Sequence, residues 1–424
     1  MSAEGSAGTA KRTKLPRTVK ALAAVSLFTD ASSEMIYPLL PAFLTATLGV
    51  GAAWVGVIEG AADAVASLLK LASGWWSDRM PRRKPLVVFG YGLASVLRPL
   101  VAFASAGWQV LAIRVGDRVG KGIRGAPRDA MIADAVPANE RGRAFGVQRA
   151  ADHAGAFIGP LIAFVLLQWV GVSVRTVFLL AAVPGAIAVL VAVFGVKEDG
   201  RRLTVDGSRK ATEDGSATAG GGRAVAEGSG PMAGAADEAP LGAPFWRYLA
   251  VLVLFTLGNS TDAFLLLRAS QLGVSAATIP LLWAALHVVK SATSIPAGAW
   301  SDRVGRRTMI AAGWLWYALV YLGFAMASSM WHAWALFIAY GLFFGLTEAV
   351  ERALVADLVP AARRGTAFGW YNGVIGAAVL PASVVFGLLW DWRGSAFAFT
   401  VGAAAAALAS VALVAVRPLR ERTA

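Results

Sequence analysis

Long apolar runs alternate with short polar connections along this chain. Twelve runs fall at roughly 21–45, 53–76, 85–106, 108–135, 144–168, 172–196, 246–269, 277–299, 308–328, 331–358, 366–390 and 395–416. About 20 helical residues cross a hydrocarbon core, so each run predicts a membrane-spanning helix. The first run follows KRTKLPRTVK and has no small-residue cleavage site after it, so it reads as a retained helix.

The polar connections set the expected orientation. Alternate ones are basic: the N-terminal arm 1–20, DRMPRRK (78–84), NERGR (139–143), DRVGRR (302–307), ARR (362–364) and the tail 417–424. The others carry almost no Lys or Arg. The positive-inside rule places both termini in the cytoplasm of a multi-pass cell-membrane protein. Residues 198–243 are polar, rich in Gly, Ala and Ser and without periodicity, and read as a flexible cytoplasmic linker. It divides a half at 21–197 from a half at 244–416.

Composition agrees. The chain of 424 residues is 57% hydrophobic and 15% charged, well below the charge of a soluble domain. The net charge of +13 is largely orientation signal, so no nucleic-acid partner is expected. There is no cysteine, which excludes a thiolate metal site, and no nucleotide-binding signature. No metal or cofactor is expected, and the energy source would be a proton gradient.

The halves repeat. GWWSDRMPRR (74–83) matches GAWSDRVGRR (298–307), and ADAVPANERGRAFG (133–146) matches ADLVPAARRGTAFG (356–369). SSEM (32–35) matches STDA (260–263) more weakly, which aligns Asp262 with Glu34. Repeats of six helices share one membrane orientation and are therefore parallel repeats about an axis along the membrane normal. Such an arrangement suits a rocking carrier. The predicted fold is all-α integral membrane: twelve transmembrane helices as two pseudo-symmetric six-helix bundles.

These motifs resemble the major facilitator superfamily over essentially the whole chain outside the arm and the linker. The loop signature G-x-x-x-D-R-x-G-R-R occurs as Gly74, Asp78, Arg79 and Arg82, with Pro81 in place of the usual glycine, and again as Gly298, Asp302 and Arg303. Arg114 stands where the family has its fourth-helix arginine. Gly146, Gly155, Gly159 and Pro160 follow the helix-five pattern that accompanies antiporters, although its closing Gly-Gly is Ala163-Phe164 here. The resemblance implies alternating access by a secondary transporter that functions as a monomer. The cytoplasmic carboxylates can latch one state by facing a helix N-terminus or arginines, with Asp134 and Asp357 as further members.

The fourth run is unusual. Arg114, Asp117, Arg118, Lys121, Arg124 and Arg128 share an arc of about 120° on one helix face. A charge at mid-bilayer costs on the order of 2.5–3.5 kcal/mol, so this face should look at protein or water. Arg124 and Arg128 lie near the inner end and read as part of the latch with Asp129 and Asp134. Helix one carries Asp30 and Glu34, one turn apart and level with Arg118 and Arg114. The resemblance implies that helices one and four border a central cavity, so these carboxylates should face those arginines. Asn259 and Asp262 join them from helix seven. On helix ten, Glu348, Glu351 and Arg352 should pair locally near the inner face; His287 reads as a hydrogen-bonded structural group, and Arg98 has no identifiable partner.

The function expected is proton-coupled antiport that exports a small organic molecule, with Asp30 and Glu34 binding protons and Arg114 tuning them. The alternative is uptake of an organic or phosphorylated anion, clamped by Arg114, Arg118 and Lys121. A membrane enzyme or receptor is the distant third, since no outer connection is long enough for a ligand domain and no nucleophile–base pair emerges. Substrate, protons and the lipid bilayer are the expected partners.

Overall fold

The computed structural model describes residues 15–80, 82–137, 141–198, 241–360 and 363–415. The predicted N-terminal arm, linker and C-terminal tail lie almost wholly outside the described residues. The chain is nearly all helical, and no strand occurs among the described residues. Twelve helical segments follow one another: α1 (17–47), α2 (Ala52–Arg79), α3 (Lys84–Phe103), α4 (Gly107–Asp134), α5 (141–170), α6 (Val174–Gly195), α7 (Ala243–Gln271), α8 (Ile279–Val304), α9 (Arg306–Met326), α10 (Met330–Asp357), α11 (Arg364–Arg393) and α12 (Ser395–Ala415).

Nine of them are apolar and long enough to cross a membrane among the described residues. The three that fall short, α1, α4 and α8, carry charged or titratable groups in their interiors: Asp30 and Glu34, the arginine face, and His287 with Lys290. Most of these charges are covered by neighbouring helices, as a bilayer requires, whereas Lys121 is exposed.

Several helices change geometry midway, α1 and α7 among them. In α1, Pro38 and Pro41 bring a short 3-10 turn at Tyr37–Leu39. In α7 the helix stops at Gly258 and resumes at Ala263, leaving Asn259–Asp262 irregular. Backbone of that kind is tolerated at membrane depth only where protein or a cavity satisfies it. Here Tyr317 donates to Asn259 Oδ1 (3.0 Å), Ser260 and Tyr321 share a hydrogen bond (3.2 Å), and Ser383 Oγ accepts the Thr261 amide (3.2 Å).

The halves are packed differently. The second is an aromatic core: Phe255 stacks on Trp314 at 4.4 Å, Tyr317 on Tyr321 at 4.1 Å, and Phe324 on Phe399 at 5.5 Å. The first is held around α4 by ions, described below.

Two seams join the halves, α2 against α11 and α5 against α8. The end of the bundle away from the chain termini is termed distal and the other proximal. The α2–α11 seam is tightest distally. A Cβ on Gly56 would fall on the Ser383 carbonyl, and one on Gly387 on the Ala53 backbone. At the rim, Asp391 of α11 accepts hydrogen bonds from the amides of Ala52 and Ala53, both 2.9 Å, and so caps α2 across the halves. A carboxylate at a helix N-terminus is favoured both by the free amides and by the helix dipole. No comparable packing joins α4 to α11 or α5 to α10 among the described residues.

The distal cap therefore joins the halves in this conformation. Because the chain has no cysteine, Ser383→Cys supplies a unique thiol at a fully buried site on the seam. In detergent this thiol should react slowly with a maleimide. Adding Asp391→Ala should accelerate labelling by roughly tenfold or more. A charge-assisted hydrogen bond contributes about 1.5–3 kcal/mol, and about 1.4 kcal/mol is a factor of ten. Equal rates would show that Asp391 does not hold the seam.

Candidate functional site

Three charged helix-four residues, Arg114, Asp117 and Arg118, form the centre of the first half. Arg114 makes a two-pronged pair with Glu59 of α2, Nε to Oε1 at 2.8 Å and Nη2 to Oε2 at 2.6 Å. Arg114 also lies 3.6 Å from Asp117, whose other oxygen takes Arg98 Nε at 2.8 Å. Arg98 Nη1 donates to the Thr29 carbonyl of α1 at 3.0 Å. Arg118 faces Asp63 at 3.6 Å. Arg114 and Arg98 are 4% exposed, and Glu59 and Asp117 only 1%. The fork of a guanidinium matches a carboxylate, which makes arginine suited to such a buried pair.

This corrects the expected pairing. The arginines do not pair with Asp30 and Glu34 of α1; their partners are Glu59 and Asp63 of α2. The reason is geometric. α2 and α4 both start at the distal end, and Glu59 and Asp63 stand as far from Ala52 as Arg114 and Arg118 stand from Gly107. Two parallel helices thus present a ladder of opposite charges rung by rung. Arg98, for which no partner was found, belongs to the same network. Arg114 is sequestered instead of lining a cavity.

Freed of arginine, the helix-one carboxylates face elsewhere. Glu34 accepts Trp283 Nε1 of α8 at 2.8 Å, a hydrogen bond between the halves in the distal third. Tyr37 packs on the same indole at 5.2 Å, and His287 meets it edge-on at 5.2 Å. His287 Nε2 is buried without a hydrogen bond, so it is not the satisfied structural group expected. Asp262 accepts Tyr340 Oη at 2.6 Å, and Glu34 and Asp63 are its acidic neighbours. Asp30 makes no hydrogen bond or ion pair among the described residues. Its charged neighbours are Asp152, Lys121, Glu34 and Arg124. Lys121, halfway along α4, reaches accessible space beside Asp30 and Asp63.

The helix-five glycines have a packing role at this site. A Cβ on Gly155 would strike the Leu27 carbonyl, and one on Gly159 the Ala31 carbonyl. Both glycines let α5 lie directly on α1 on either side of Asp30, and Pro160 is buried beside them. Gly146 faces open space. Ser26 of α1 takes hydrogen bonds from Gln148 of α5 and from Arg128, the latter at 3.2 Å.

At the proximal end Arg83 holds Asp134 (2.6 Å), and Arg306 holds Asp357 (2.9 Å). Both pairs lie within one half, so in this conformation they fasten helices together and bridge no interface. Beyond their helical backbone, Gly74, Asp78, Arg79, Gly298 and Asp302 lie outside the described residues, while Arg82 and Arg303 are exposed. Of Arg124 and Arg128, only Arg128 meets one of the expected acids among the described residues. Arg124 lies over the Tyr91 ring at 4.3 Å, and Arg128 pairs with Asp129 at 2.9 Å. On α10, Glu348 does pair locally, with Lys290 (2.9 Å) and Arg352 (3.4 Å). Glu351 does not. It turns into the second half and accepts Trp314 Nε1 (2.9 Å) and Tyr371 Oη (2.8 Å).

The arginine network yields a stability prediction. Arg114→Ala leaves Glu59 charged and buried, which should destabilise the protein by about 3–5 kcal/mol. The double change Arg114→Ala with Glu59→Ala should recover most of that loss. Thermal unfolding in detergent measures both, and additive losses would show that the pair is not coupled.

The sequence matches the profile described as Major Facilitator Superfamily over residues 22–267 and 248–424. It is 31% identical over 387 residues to an uncharacterised MFS-type transporter of Methanocaldococcus jannaschii, covering 89% of each chain. Over 177 residues it is 32% identical to the multidrug resistance protein MdtG of Proteus mirabilis, covering 40% of this chain and 42% of that one. A bacterial homologue of the human lysosomal transporter Spinster, solved inward-facing and unoccupied, shares the fold. Its TM-score is 0.69 at 16% identity, and the likeness covers 95% of this chain and 96% of that one. The chain belongs to the Major Facilitator Superfamily of membrane transporters.

Proposed function

We propose that this transporter is a proton-coupled antiporter that exports a small organic molecule, with Asp30 and Glu34 as its proton-binding groups. The observation that carries the reading is the division of charge. Arg98, Arg114 and Arg118 are matched by Asp117, Glu59 and Asp63 inside the first half. Asp30 and Glu34 have no arginine or lysine bound to them. A carboxylate at this depth without a bound cation is suited to exchange its charge for a proton when access changes.

Glu34 gives that exchange a mechanical consequence. Its bond to Trp283 spans the halves and must break when they rock apart at the distal end. In the proposed cycle this conformation is open toward the termini, which the basic connections place in the cytoplasm. Substrate enters, the distal seam opens, and protons arriving from outside neutralise Asp30 and Glu34 as substrate leaves. Export is supported by the helix-five glycines around Asp30 and by the likeness to a multidrug resistance protein. The anion-uptake alternative is weakened by the same charge division, because the arginines of its clamp are already occupied by carboxylates.

The test uses inverted membrane vesicles, with ethidium as a cationic probe and benzoate as an anionic one. Asp30→Asn and Glu34→Gln should each abolish accumulation against a gradient and leave downhill exchange within a few-fold of the wild type. The neutral amide mimics one protonation state, so the carrier moves but cannot be driven. Uphill transport at the wild-type rate in both variants would overturn proton coupling at these residues. Loss of all movement in Lys121→Ala, with benzoate as the transported probe, would favour anion uptake.

A further inference from the structure

Glu351 of α10 is an acidic side chain that the transport cycle above leaves unused. It is 8% exposed and sits among four helices of the second half. Trp314 of α9 donates to Oε1, and Tyr371 of α11 donates to Oε2. Tyr248 of α7 is also a neighbour. The Tyr248 hydroxyl is buried, the residue being 4% exposed, and has no hydrogen-bond partner. The other ionisable groups around Glu351 are Glu348 and Arg352 of its own helix. Arg352 is half exposed and turned to Glu348, which is held in addition by Lys290. No cation therefore binds the Glu351 carboxyl among the described residues.

The first half answers the same position with the opposite charge. At the repeat offset of 223, Glu351 corresponds to Arg128, which has Asp129 as its counter-ion. An ion at Glu351 would have none.

We propose that Glu351 is a further proton-binding site, occupied at neutral pH in this conformation, with Trp314 and Tyr371 as its hydrogen-bond partners. The statement follows from the charge and hydrogen-bond inventory around the carboxyl group. A buried carboxylate in a membrane protein needs a cation, or it takes a proton and becomes neutral. The protonated acid is a donor as well as an acceptor. Tyr371 Oη is a hydroxyl that can accept as well as donate, so the new O–H on Oε2 donates to it while Oε1 keeps the Trp314 N–H. Binding is simple addition of one proton to one carboxylate oxygen. The site lies six residues, about 9 Å, from the proximal end of α10, so the proton exchanges with the side of the termini.

Infrared difference spectroscopy of the purified, full-length protein tests this without any substrate. At neutral pH the wild type should show the C=O stretch of a protonated carboxyl group that is lost in Glu351→Gln. Tyr371→Phe should keep that band and shift its frequency, because the hydrogen bond with Tyr371 Oη is gone. Trp314→Phe should shift it as well by removing a donor to the other oxygen, and it serves if Glu351→Gln does not fold. Wild-type and Glu351→Gln spectra that superimpose in the carboxyl region would overturn the proposal. So would a band that neither Tyr371→Phe nor Trp314→Phe moves. Asp30→Asn and Glu34→Gln should leave this band in place, so the result stands apart from the outcome of the transport assays.

Discussion

The structure rests on the requirement that charge inside a membrane be matched at once by opposite charge. Arg98, Arg114 and Arg118 sit where a bilayer would penalise each of them, and Asp117, Glu59 and Asp63 meet them within the same half. Three consequences follow. Within the first half, α2, α3 and α4 are tied by ion pairs whose rupture would strand buried charge. The arginines are withdrawn from the cavity. The acids of α1 are left to the interface, where Glu34 meets Trp283 of the other half and Asp30 lies beside Lys121.

The second half solves its packing by other means. Stacked Phe255, Trp314, Tyr317 and Tyr321 hold α7 and α9 together, and the break in α7 at Asn259–Asp262 is satisfied by tyrosine and serine hydroxyls. Few ions are needed there. The two halves thus share a fold and a repeat yet differ in what holds them: charge in one, aromatic contact and neutral hydrogen bonds in the other. Between them, the distal seam is shut by small residues and by Asp391 on the α2 amides, a contact that rocking must break.

Much of this was legible in the sequence, and the limits have physical causes. The helices, the repeat and the shared face of the α4 charges follow from apolar run length and the 3.6-residue period. The choice of partner for Arg114 does not. Glu34 and Glu59 both lie at a compatible depth, and depth leaves the rotation of each helix about its axis free. The equal offsets of Glu59 and Asp63 with Arg114 and Arg118, on helices running the same way, were the available signal. Asp391 was hidden for another reason. Its ligands are backbone amides of a helix start, and these leave no mark on side-chain pattern. Glu351 looked like a member of a local charge cluster because i, i+3 and i, i+4 spacing says which residues are near, while tertiary packing decides which way each one turns. The glycines at 155 and 159 were noticed as a motif, and their place against α1 around Asp30 gives that motif a mechanical meaning.

The central claim is that substrate and proton move in opposite directions through one alternating site. Proteoliposomes containing the wild-type protein and internal pyranine test it directly. Ethidium supplied to one side of the membrane should drive protons the other way in the absence of an imposed pH gradient, with the dye reporting the change in internal pH. Ethidium flux with no proton movement, or with protons moving in the same direction, would contradict the account.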